Sequence, residues 1–438
     1  MKKIIFISII FSFISLNLIA DTFDNPISIS LGDAYLIKAS GYRALGWNPA
    51  NLALYDNKFT ISLSDLNLSI TNNAFSLAFY NDIVGQYLDE GDEQDILDRI
   101  PDSGFGLDAD LGFTPMITSF SYKNYAFSST ASVLSTIRFS KELFEFLIED
   151  IEFQEYDFSN CKGEVVGFIE HRFGYAQKLR LKDLLPYGLP PIYGGISISY
   201  IMGAGYAKIS KLESSLINSP DGAIIDTEVK IETSGIKREE DHKFSRETEI
   251  TFPGSGFRMD IGFFSKLNEN ITVGLAFKNL FGNITWSSDC LKHIIKVNGD
   301  SICAYSGSYD FGDQFDENDD IYYSISEIKQ TIPFEIHLGG KYELKVFNFY
   351  ADYVQGFESS AFTSSKPKIS LGAEYDILKW LPIRLGFGFG DERSSHYSLG
   401  SGLEFKTFAF SWALRSYYSP FPSYSKGLLY SAGAILKF

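Results

Sequence analysis

Apolar and polar residues alternate with a period of two through most of the chain. The alternation is unbroken in the segment 369–377, and the segments 383–390, 397–405 and 408–415 repeat it. Successive side chains of a β-strand point to opposite faces of its sheet, so each segment presents one apolar and one polar face. Each segment is about ten residues long, which is the length that crosses a bilayer as a tilted strand. The pattern predicts a transmembrane β-barrel.

The connections between these segments alternate in length. Tight turns occur at 268–269, 345–346 and Lys406, whereas long polar stretches occupy 82–111, 138–162, 212–253 and 287–331. Short turns on one rim and long outer loops on the other are typical of outer-membrane barrels. Counting strands back from Phe438 predicts an all-β, antiparallel barrel of about 14 strands over 58–438, because such barrels have even strand numbers. A hairpin within 212–253 would raise the number to about 16.

The N-terminus predicts export. Lys2 and Lys3 precede an apolar run over 4–18, and Ala20 stands before polar sequence that begins at Asp21. This layout is typical of a secretory signal peptide, here 1–20, and predicts a Gram-negative outer-membrane location. A retained anchor helix is the alternative, but the run is short for a membrane span.

Composition narrows the set of partners. The formal net charge of −17 argues against nucleic acid and against a basic surface that would bind anionic lipid heads. Mean hydropathy is −0.03, which fits a wall that turns one residue toward lipid for each residue that faces the lumen. The last strand alternates and ends on Phe438, and it resembles the C-terminal strands that barrel insertion machinery recognises. The expected partners are outer-membrane lipid, lipopolysaccharide and that machinery.

The segment 21–57 does not alternate and predicts a plug inside the barrel. Asn48 is placed to cap a helical turn whose first residue is Pro49, since proline is tolerated where the amide would be unpaired. Short helical turns ahead of the first strand have their natural place in the lumen. The small residues from Gly386 to Gly390, within an alternating strand, are expected to make room for this plug.

These elements resemble the opening of the long-chain fatty acid transporter (FadL-like) family of outer-membrane barrels. Members open with a Gly-Ala-Tyr-like element and a Trp-Asn-Pro-Ala-Gly-Leu-Ala-like element before a barrel of about fourteen strands. The matching positions here are Gly32, Ala34, Tyr35 and 47–53, with Asn51 where the family commonly has Gly. The Trp-Asn-Pro-Ala-Asn-Leu form is closer to an uncharacterised sub-group of bacterial barrels, carried as a domain of unknown function. A helical insert similar to 92–100 also occurs in that sub-group.

The resemblance implies diffusion of hydrophobic, fatty-acid-like small molecules through the barrel wall. Pro115 lies in the predicted strand 113–122, where it cannot donate a ladder hydrogen bond. In the family, a kink in an early strand opens a lateral gap, so Pro115 is expected to mark one; a strand-edge proline without that role is the alternative. A ligand pocket between plug and wall would be lined by Leu36, Ile37, Leu45, Trp47, Asn48, Pro49 and Leu52.

No arrangement of residues points to catalysis. A Gly-x-Ser-x-Gly elbow is absent, and the five His residues (171, 242, 293, 337 and 396) lack metal-ligand spacing. We therefore expect no enzyme, no cofactor and no metal. The acidic stretch 310–320 lacks the spacing of a calcium loop and is interpreted as solvated. An exported protein permits a disulfide between Cys290 and Cys303, although their spacing alone does not establish it.

Charged residues also occur on the polar faces of the strands. They carry both signs, which favours internal ion pairs and plug anchoring over an ion-selective pore. These predicted lumen-facing charges are Arg258, Asp260, Lys278, Glu335, Lys341, Glu374, Arg384, Glu404 and Arg415.

Two functions of different classes remain. Passive uptake of hydrophobic small molecules requires an apolar pocket between plug and wall. A partner in assembly, secretion or surface attachment requires an apolar patch on 212–253 or 287–331, or a completely filled lumen. A secreted β-rich adhesin remains only if the barrel prediction fails.

Overall fold

The chain is described by a computed structural model that covers most of the residues after the predicted signal peptide. The described residues are 25–54, 59–85, 87–148, 154–180, 190–219, 222–235, 237–238, 244–245, 251–302, 316–376, 378–391 and 395–438. The predicted signal peptide 1–20 and Cys303 lie outside these ranges.

Antiparallel strands close into a barrel with fourteen strand positions, so the predicted fold class is confirmed. Neighbours in the circle follow one another along the chain, and the last strand pairs with the first through Lys437 and Thr60. In chain order the strands are β1 (Phe59–Asn72), β2 (Phe105–Thr114), β3 (Phe120–Tyr122), β4 (Tyr125–Phe139), β5 (Glu155–Asp157), β6 (Lys162–Lys178), β7 (Ile192–Ser219), β8 (Gly222–Ser234), β9 (Lys237–Arg238), β10 (Phe244–Ser245), β11 (Gly254–Lys266), β12 (Ile271–Trp286), β13 (Leu291–Ile302), β14 (Asp316–Ser324), β15 (Ile328–Thr331), β16 (Glu335–Leu344), β17 (Phe347–Gly356), β18 (Lys368–Tyr375), β19 (Ile383–Gly390), β20 (Ser395–Glu404), β21 (Phe408–Tyr417) and β22 (Gly427–Lys437).

Two pairs of these strands share a position in the circle. β3 continues the line of β2, and β15 precedes β16 along the same neighbour, β12. β5, β8, β9, β10, β13 and β14 lie outside the circle. We call the rim with the turns 267–270, 345–346 and 405–407 the short-turn rim and the opposite one the long-loop rim.

The outer surface of the barrel is apolar. Alternate residues of neighbouring strands, such as Leu338, Leu371, Leu385 and Leu399, are exposed on it. Near the short-turn rim the exposed side chains are aromatic, among them Tyr122, Tyr125, Phe347, Phe405 and Phe438. An apolar band bordered by aromatic residues is the surface that a transmembrane barrel presents to lipid. In the described ranges, no helix is both long and apolar enough to span a membrane.

Helices follow the first barrel strand. β1 ends at Asn72, and a helix follows at Leu77–Ile83, because the Ser76 hydroxyl accepts a hydrogen bond from the Phe79 amide and caps it. Within the ranges that the structure describes, the α-helices are α1 (Pro26–Ser30), α2 (Leu77–Ile83), α3 (Glu90–Arg99) and α4 (Lys141–Ile148). α2, α3 and α4 share an apolar core at the long-loop rim, so the predicted loops 82–111 and 138–162 contain packed helices.

The predicted loops 212–253 and 287–331 contain strands rather than irregular chain. β7 runs well past the rim and pairs with β8, which pairs with β13, which in turn pairs with β14. We call this four-stranded projection the extension sheet. Cross-strand ion pairs such as Lys292–Glu232 (2.9 Å) and Lys296–Glu228 (3.2 Å) lie on it. Because these strands leave the circle, the hairpin at 212–253 does not raise the strand number above fourteen.

The second barrel strand differs most from its prediction. The expected continuous strand 113–122 is broken, since β2 ends at Thr114 and β3 begins at Phe120. We call residues 115–119 the wall break. Pro115 is its first residue, so it follows a strand end rather than lying within a strand. A proline, which has no amide to donate, is favoured at such an end.

Candidate functional site

The segment 25–54, which we call the plug, lies inside the barrel in the half nearer the short-turn rim. It contains α1 and two 3₁₀-helices, Gly41–Gly46 and Pro49–Ala53. Almost all of its apolar side chains are buried, and those around Tyr35 and Trp47 form one core with wall residues such as Phe264 and Tyr350. The plug therefore fills its half of the lumen with packed side chains.

Asn48 fastens the plug to the wall. It caps the helix Pro49–Ala53 by accepting a hydrogen bond from the Ala50 amide (3.1 Å), which confirms the predicted cap. Its side-chain amide donates to the carbonyl oxygen of Phe263 in β11 (3.0 Å). One side chain thus ends the helix and joins it to a barrel strand.

Asn51 holds the plug together internally. Its side-chain amide donates to the carbonyl oxygens of Leu36 (2.8 Å) and Ala39 (3.0 Å), which lie earlier in the plug. The departure from the resembled family at this position, Asn for Gly, therefore has a structural role, because glycine could not make either bond.

Glycines of the wall let the plug approach the barrel backbone. At eight of them, a Cβ would lie less than 3.0 Å from a plug atom, so any larger residue would push plug and wall apart. They lie on β6, β7, β11, β12, β16, β18, β19 and β20, and so surround most of the plug. We call this set the glycine ring: Gly174, Gly195, Gly262, Gly274, Gly339, Gly372, Gly386 and Gly400.

Asp33 anchors the plug to two strands. Its carboxylate pairs with Arg415 of β21 and with Lys368 of β18 (2.6 Å). Burial alone would raise the pKa of Asp33, but Arg415 and Lys368 outweigh it and hold that pKa well below its usual range. The carboxylate is therefore charged at neutral pH and holds both cations.

A second anchor joins Lys38 of the plug to a chain of charges on the wall. Lys38 pairs with Glu374 of β18 (2.6 Å). Glu374 also pairs with Arg384 of β19 (2.6 Å), which reaches Glu404 of β20 (2.6 Å). Three of the predicted lumen charges thus form one network with the plug.

Further anchors come from β1 and β17. Arg43 pairs with Asp65 of β1 (2.5 Å), and both side chains are largely buried. Asp352 of β17 accepts hydrogen bonds from the backbone amides of Tyr35 and Leu36 (2.7 Å each). Alternation along β1 and β17 places both carboxylates on the inner face, which is the signal that could have found them in the sequence.

Arg258 and Asp260 face the lumen on the long-loop side of the plug, that is, above it, and their partners lie on the wall. Arg258 pairs with Glu170 of β6 (2.5 Å), and Glu170 also pairs with Arg172 (2.6 Å). Asp260 accepts a hydrogen bond from the Asn279 amide (2.8 Å). Glu170 and Arg172 were missed, although both occupy the polar face of an alternating strand.

The remaining three lie on β12 and β16. Lys278 donates to the carbonyl oxygen of Gly46 in the plug. Glu335 pairs with His337 (3.1 Å), and Lys341 with Glu343 (2.6 Å). Lys278, Glu335 and Lys341 thus each have a partner for their charge. Charges that are paired in this way are expected of a structural lining rather than of an ion filter.

A cavity of about 200 Å³, which we call the chamber, lies directly above the plug. Its lining mixes charged, hydroxyl and apolar side chains from the plug, both sides of the barrel and the loop between β17 and β18. Residues that line it include Asp33, Trp47, Asp108, Arg138, Lys278, His337 and Phe362. Of the seven residues predicted to bind a ligand, Trp47 lines the chamber.

The other six predicted ligand residues have a different environment. Leu36, Ile37, Leu45, Asn48, Pro49 and Leu52 are buried in the contact between plug and wall. Ligand binding at these positions stays a prediction.

The wall break carries a local surplus of chain. Thr114 pairs with Asp65 and Phe120 pairs with Ile61, so five residues (115–119) face three residues of β1 (62–64). Met116 and Ile117 are exposed on the outer surface, and Ile117 has a left-handed φ of 63°. β2 is therefore interrupted by a bulge of two extra residues that faces lipid.

Backbone and hydroxyl groups together join the wall break to its neighbours. The Ile117 amide donates to the Ser62 carbonyl oxygen (2.9 Å), and the Ser62 amide donates to the Ser119 carbonyl oxygen (2.8 Å). The Ser62 hydroxyl donates to the carbonyl oxygen of Pro115 (3.2 Å) and accepts from the Ser119 amide (3.1 Å). The Ser119 hydroxyl accepts from the Ser129 amide of β4 (2.9 Å). Side-chain hydrogen bonds of this kind hold the wall less rigidly than a continuous ladder, because each hydroxyl can rotate to another partner.

Cys290 is buried beside Trp286, and the Cys290 thiol donates a hydrogen bond to the carbonyl oxygen of Trp286 (3.3 Å). Since Cys303 lies outside the described residues, the disulfide stays a prediction.

The family model that describes a family of unknown function (DUF5723) matches residues 49–414. The chain belongs to that family. This agrees with the sequence resemblance to a sub-group carried as a domain of unknown function. None of the curated proteins matches the chain.

Solved structures of hydrocarbon channels match most of the chain at very low identity and with TM-scores below 0.5. The Ralstonia pickettii toluene transporter TbuX is 12% identical, with a TM-score of 0.46 over 94% of this chain and 97% of that one. The monoaromatic hydrocarbon channel CymD is 11% identical, with a TM-score of 0.47 over 94% and 97%. The P. putida toluene transporter TodX is 10% identical, with a TM-score of 0.42 over 94% and 96%. Likeness of this degree does not transfer a substrate.

Proposed function

We propose that this protein is a non-catalytic outer-membrane channel that takes up small hydrophobic molecules and releases them sideways through the wall break. The observation that carries the proposal is the interruption of the second barrel strand at 115–119, beside a lumen that the plug closes. A molecule that enters at the long-loop rim meets packed plug side chains, so the straight path to the opposite rim is blocked. The chamber and the wall break offer the alternative path.

The direction of release selects the class of molecule. The outer side of the wall break carries Met116 and Ile117, which face the hydrocarbon of the membrane. Burial in hydrocarbon favours apolar solutes by about 25 cal/mol for each Å² removed from water. Polar solutes gain nothing from such an exit, so a lateral path is useful to hydrophobic molecules.

The chamber lies close to this exit. Asp108 and Asp110 of β2 line it, and β2 ends four residues later at Thr114. The same strand thus borders the chamber above and the wall break below. The apolar girdle, the long loops on one rim and the terminal Phe438 support insertion into an outer membrane, with the insertion machinery, lipid and lipopolysaccharide as partners.

Deletion of Met116 and Ile117 tests the proposal. It leaves three residues opposite three residues of β1, so the strand can pair without interruption. The probe is N-phenyl-1-naphthylamine, which the lipopolysaccharide layer of intact cells excludes. We expect its protein-dependent uptake to fall at least about tenfold in the deletion variant, which corresponds to a free-energy barrier raised by about 1.4 kcal/mol. Pro115→Val, which restores a donor but keeps the extra residues, should reduce uptake less.

The matched control is the double substitution Met116→Ala and Ile117→Ala, which keeps the length of the bulge and should keep uptake. Each variant is first checked for a compact band on a gel that shifts on boiling, the signature of a folded barrel. A folded deletion variant with unchanged uptake would overturn the lateral path.

A role as an assembly or attachment partner is the second candidate. The extension sheet exposes Ile217, Ile224, Ile321 and Tyr323 beyond the rim, and exposed apolar side chains there suit a protein partner. This function predicts that removing the tip of the β7–β8 hairpin abolishes co-purification of a partner from membranes. Uptake that depends on the protein, and persists without that tip, would count against it.

A further inference from the structure

A second apolar site lies in the lumen above the plug. Aromatic and aliphatic side chains from β4, β6, β7 and β12 meet there, on the half of the wall that also includes β11 between β7 and β12. We call it the aromatic cluster; its main members are Leu134, Val166, Phe168, Ile201, Tyr206, Ile284 and Trp286. A barrel lumen is expected to be lined by polar residues, so an apolar patch of this size needs an explanation.

The wall is shaped to hold the indole of Trp286. A Cβ at Gly203 of β7 or Gly254 of β11 would lie within 3.0 Å of the indole, so only glycine lets the ring lie flat on these strands. The ring stacks on Tyr206 with centroids 5.3 Å apart. Its Nε1 donates to the side-chain oxygen of Gln330 (3.3 Å). Trp286 and Tyr206, which form the floor of the aromatic cluster, are therefore fixed in place.

A loop from the opposite side of the barrel covers this floor. Residues 357–367, the inward loop, connect β17 to β18, yet Phe362 at its tip lies against Phe168 of β6 with ring centroids 5.6 Å apart. Ala361 and Phe362 are the half-buried residues of the loop that pack on the cluster. The ring of Phe362 thus crosses the lumen to reach an aromatic surface.

The inward loop is held mainly by bonds within itself. The Thr363 hydroxyl donates to the carbonyl oxygen of Glu358 (2.7 Å), and the hydroxyls of Ser359 and Ser365 lie 2.9 Å apart. These bonds keep the shape of the loop wherever it lies. Its attachment to the far wall consists of the apolar contact of Ala361 and Phe362, which a competing apolar group can replace.

We propose that the aromatic cluster is a ligand site that Phe362 of the chain itself occupies, and that a small aromatic molecule binds there by displacing the Phe362 ring. The inference rests on the proposed uptake function and adds to it the site of entry and its control. The occupant is one phenyl ring, so the site fits a molecule with one aromatic ring and a short alkyl group. Displacement moves a residue that also lines the chamber, and so opens the chamber toward the long-loop rim.

The competition predicts a direct effect of Phe362 on affinity. A ligand that must displace an internal group binds with an apparent Kd raised by the fraction of time that the site is occupied. If Phe362 fills the site for nine-tenths of the time, its removal lowers the apparent Kd about tenfold. Removal of a ring that only supports the fold would also leave an apolar cavity that binds a small aromatic molecule, so saturable binding by the unmodified protein is the deciding observation.

The experiment uses the full chain in detergent with 4-fluorophenylalanine at position 168, titrated with ethylbenzene and followed by fluorine NMR. We expect a saturable shift whose half-saturation concentration is about tenfold lower in Phe362→Ala. Phe357→Ala is the matched control, because Phe357 belongs to the same loop but stacks on Phe334 outside the cluster. It should leave the titration unchanged, and partition of ethylbenzene into detergent cancels in each comparison.

Equal or weaker binding by Phe362→Ala, or no saturable shift at Phe168, would overturn the inference. The result is independent of the uptake test: the variant that lacks Met116 and Ile117 should titrate like the unmodified protein. Binding with no uptake would therefore count against the lateral path alone, and uptake with no binding against the aromatic site alone.

Discussion

The lumen is closed at two levels, and the two closures are built differently. The plug touches the wall through the glycine ring and through buried ion pairs from Asp33, Lys38 and Arg43. The inward loop reaches the far wall through Ala361 and Phe362 alone among its apolar residues. Close packing against backbone resists any displacement, whereas one aromatic contact costs little to exchange. The comparison indicates a permanent closure below and a movable one above.

Among the changes that distinguish the two closures, Asp33→Ala should lower the stability of the protein most. It leaves Arg415 and Lys368 buried without their shared carboxylate, and removing one partner of a buried ion pair costs about 3–5 kcal/mol. The measurement is the urea midpoint at which the heat-modifiable band is lost. Lys211→Ala is the control, since its pair with Glu213 is exposed and should leave the midpoint almost unchanged. Equal midpoints for the two variants would contradict a plug held by buried charge.

A smaller effect is expected from Gly386→Ala. The new Cβ would lie less than 3.0 Å from the backbone nitrogen of Gly32, and overpacking of this kind costs about 1–3 kcal/mol. Displacement of the plug should also give steady ion conductance in a planar bilayer, where the unmodified protein conducts little. Gly340→Ala serves as control because its Cβ would meet only the Thr272 carbonyl oxygen, at 3.9 Å. Silent, fully stable Gly386→Ala channels would show that the ring does not fix the plug.

The last test compares the local stability of the two closures in the unmodified protein. The Leu36 amide donates to buried Asp352, and the Phe362 amide donates to Ser360 (3.1 Å) in the inward loop. Amide exchange reports the free energy of local opening, so the Leu36 amide should exchange at least about a hundredfold more slowly than the Phe362 amide. Similar rates at the two amides would mean that the two closures open together, and the distinction between them would be lost.

The sequence predicted the wall far better than it predicted what lies beside the wall. Strands such as 369–377 were recognisable because one face meets lipid and the other meets a polar lumen, which forces strict alternation. The extension sheet was predicted only in part. A hairpin within 212–253 was the alternative there, and 287–331 was predicted to be a loop, because apolar residues in these stretches do not alternate strictly. β2 was placed too late, although Leu107, Ala109, Leu111 and Phe113 alternate with glycine and aspartate.

The interior was predictable only in part. Asn48 as a helix cap follows from local chemistry, and the structure bears it out. The aromatic cluster depends on which strands become neighbours on the inner wall, and no local pattern contains that information. Phe362 left one trace, a large aromatic residue in a loop of serines, threonines and lysines, which is a signal of an anchored loop that we did not use.

The glycine ring also bears on how wide the barrel can be. Eight strands meet the plug at a glycine, so at these positions no side chain of the wall lies between strand and plug. A relative that gained a hairpin would enlarge its circumference and leave the plug loose on every side. A relative that lost one would leave the plug no room. The width of the plug, the 30-residue segment 25–54, thus limits the number of strands that the barrel around it can have.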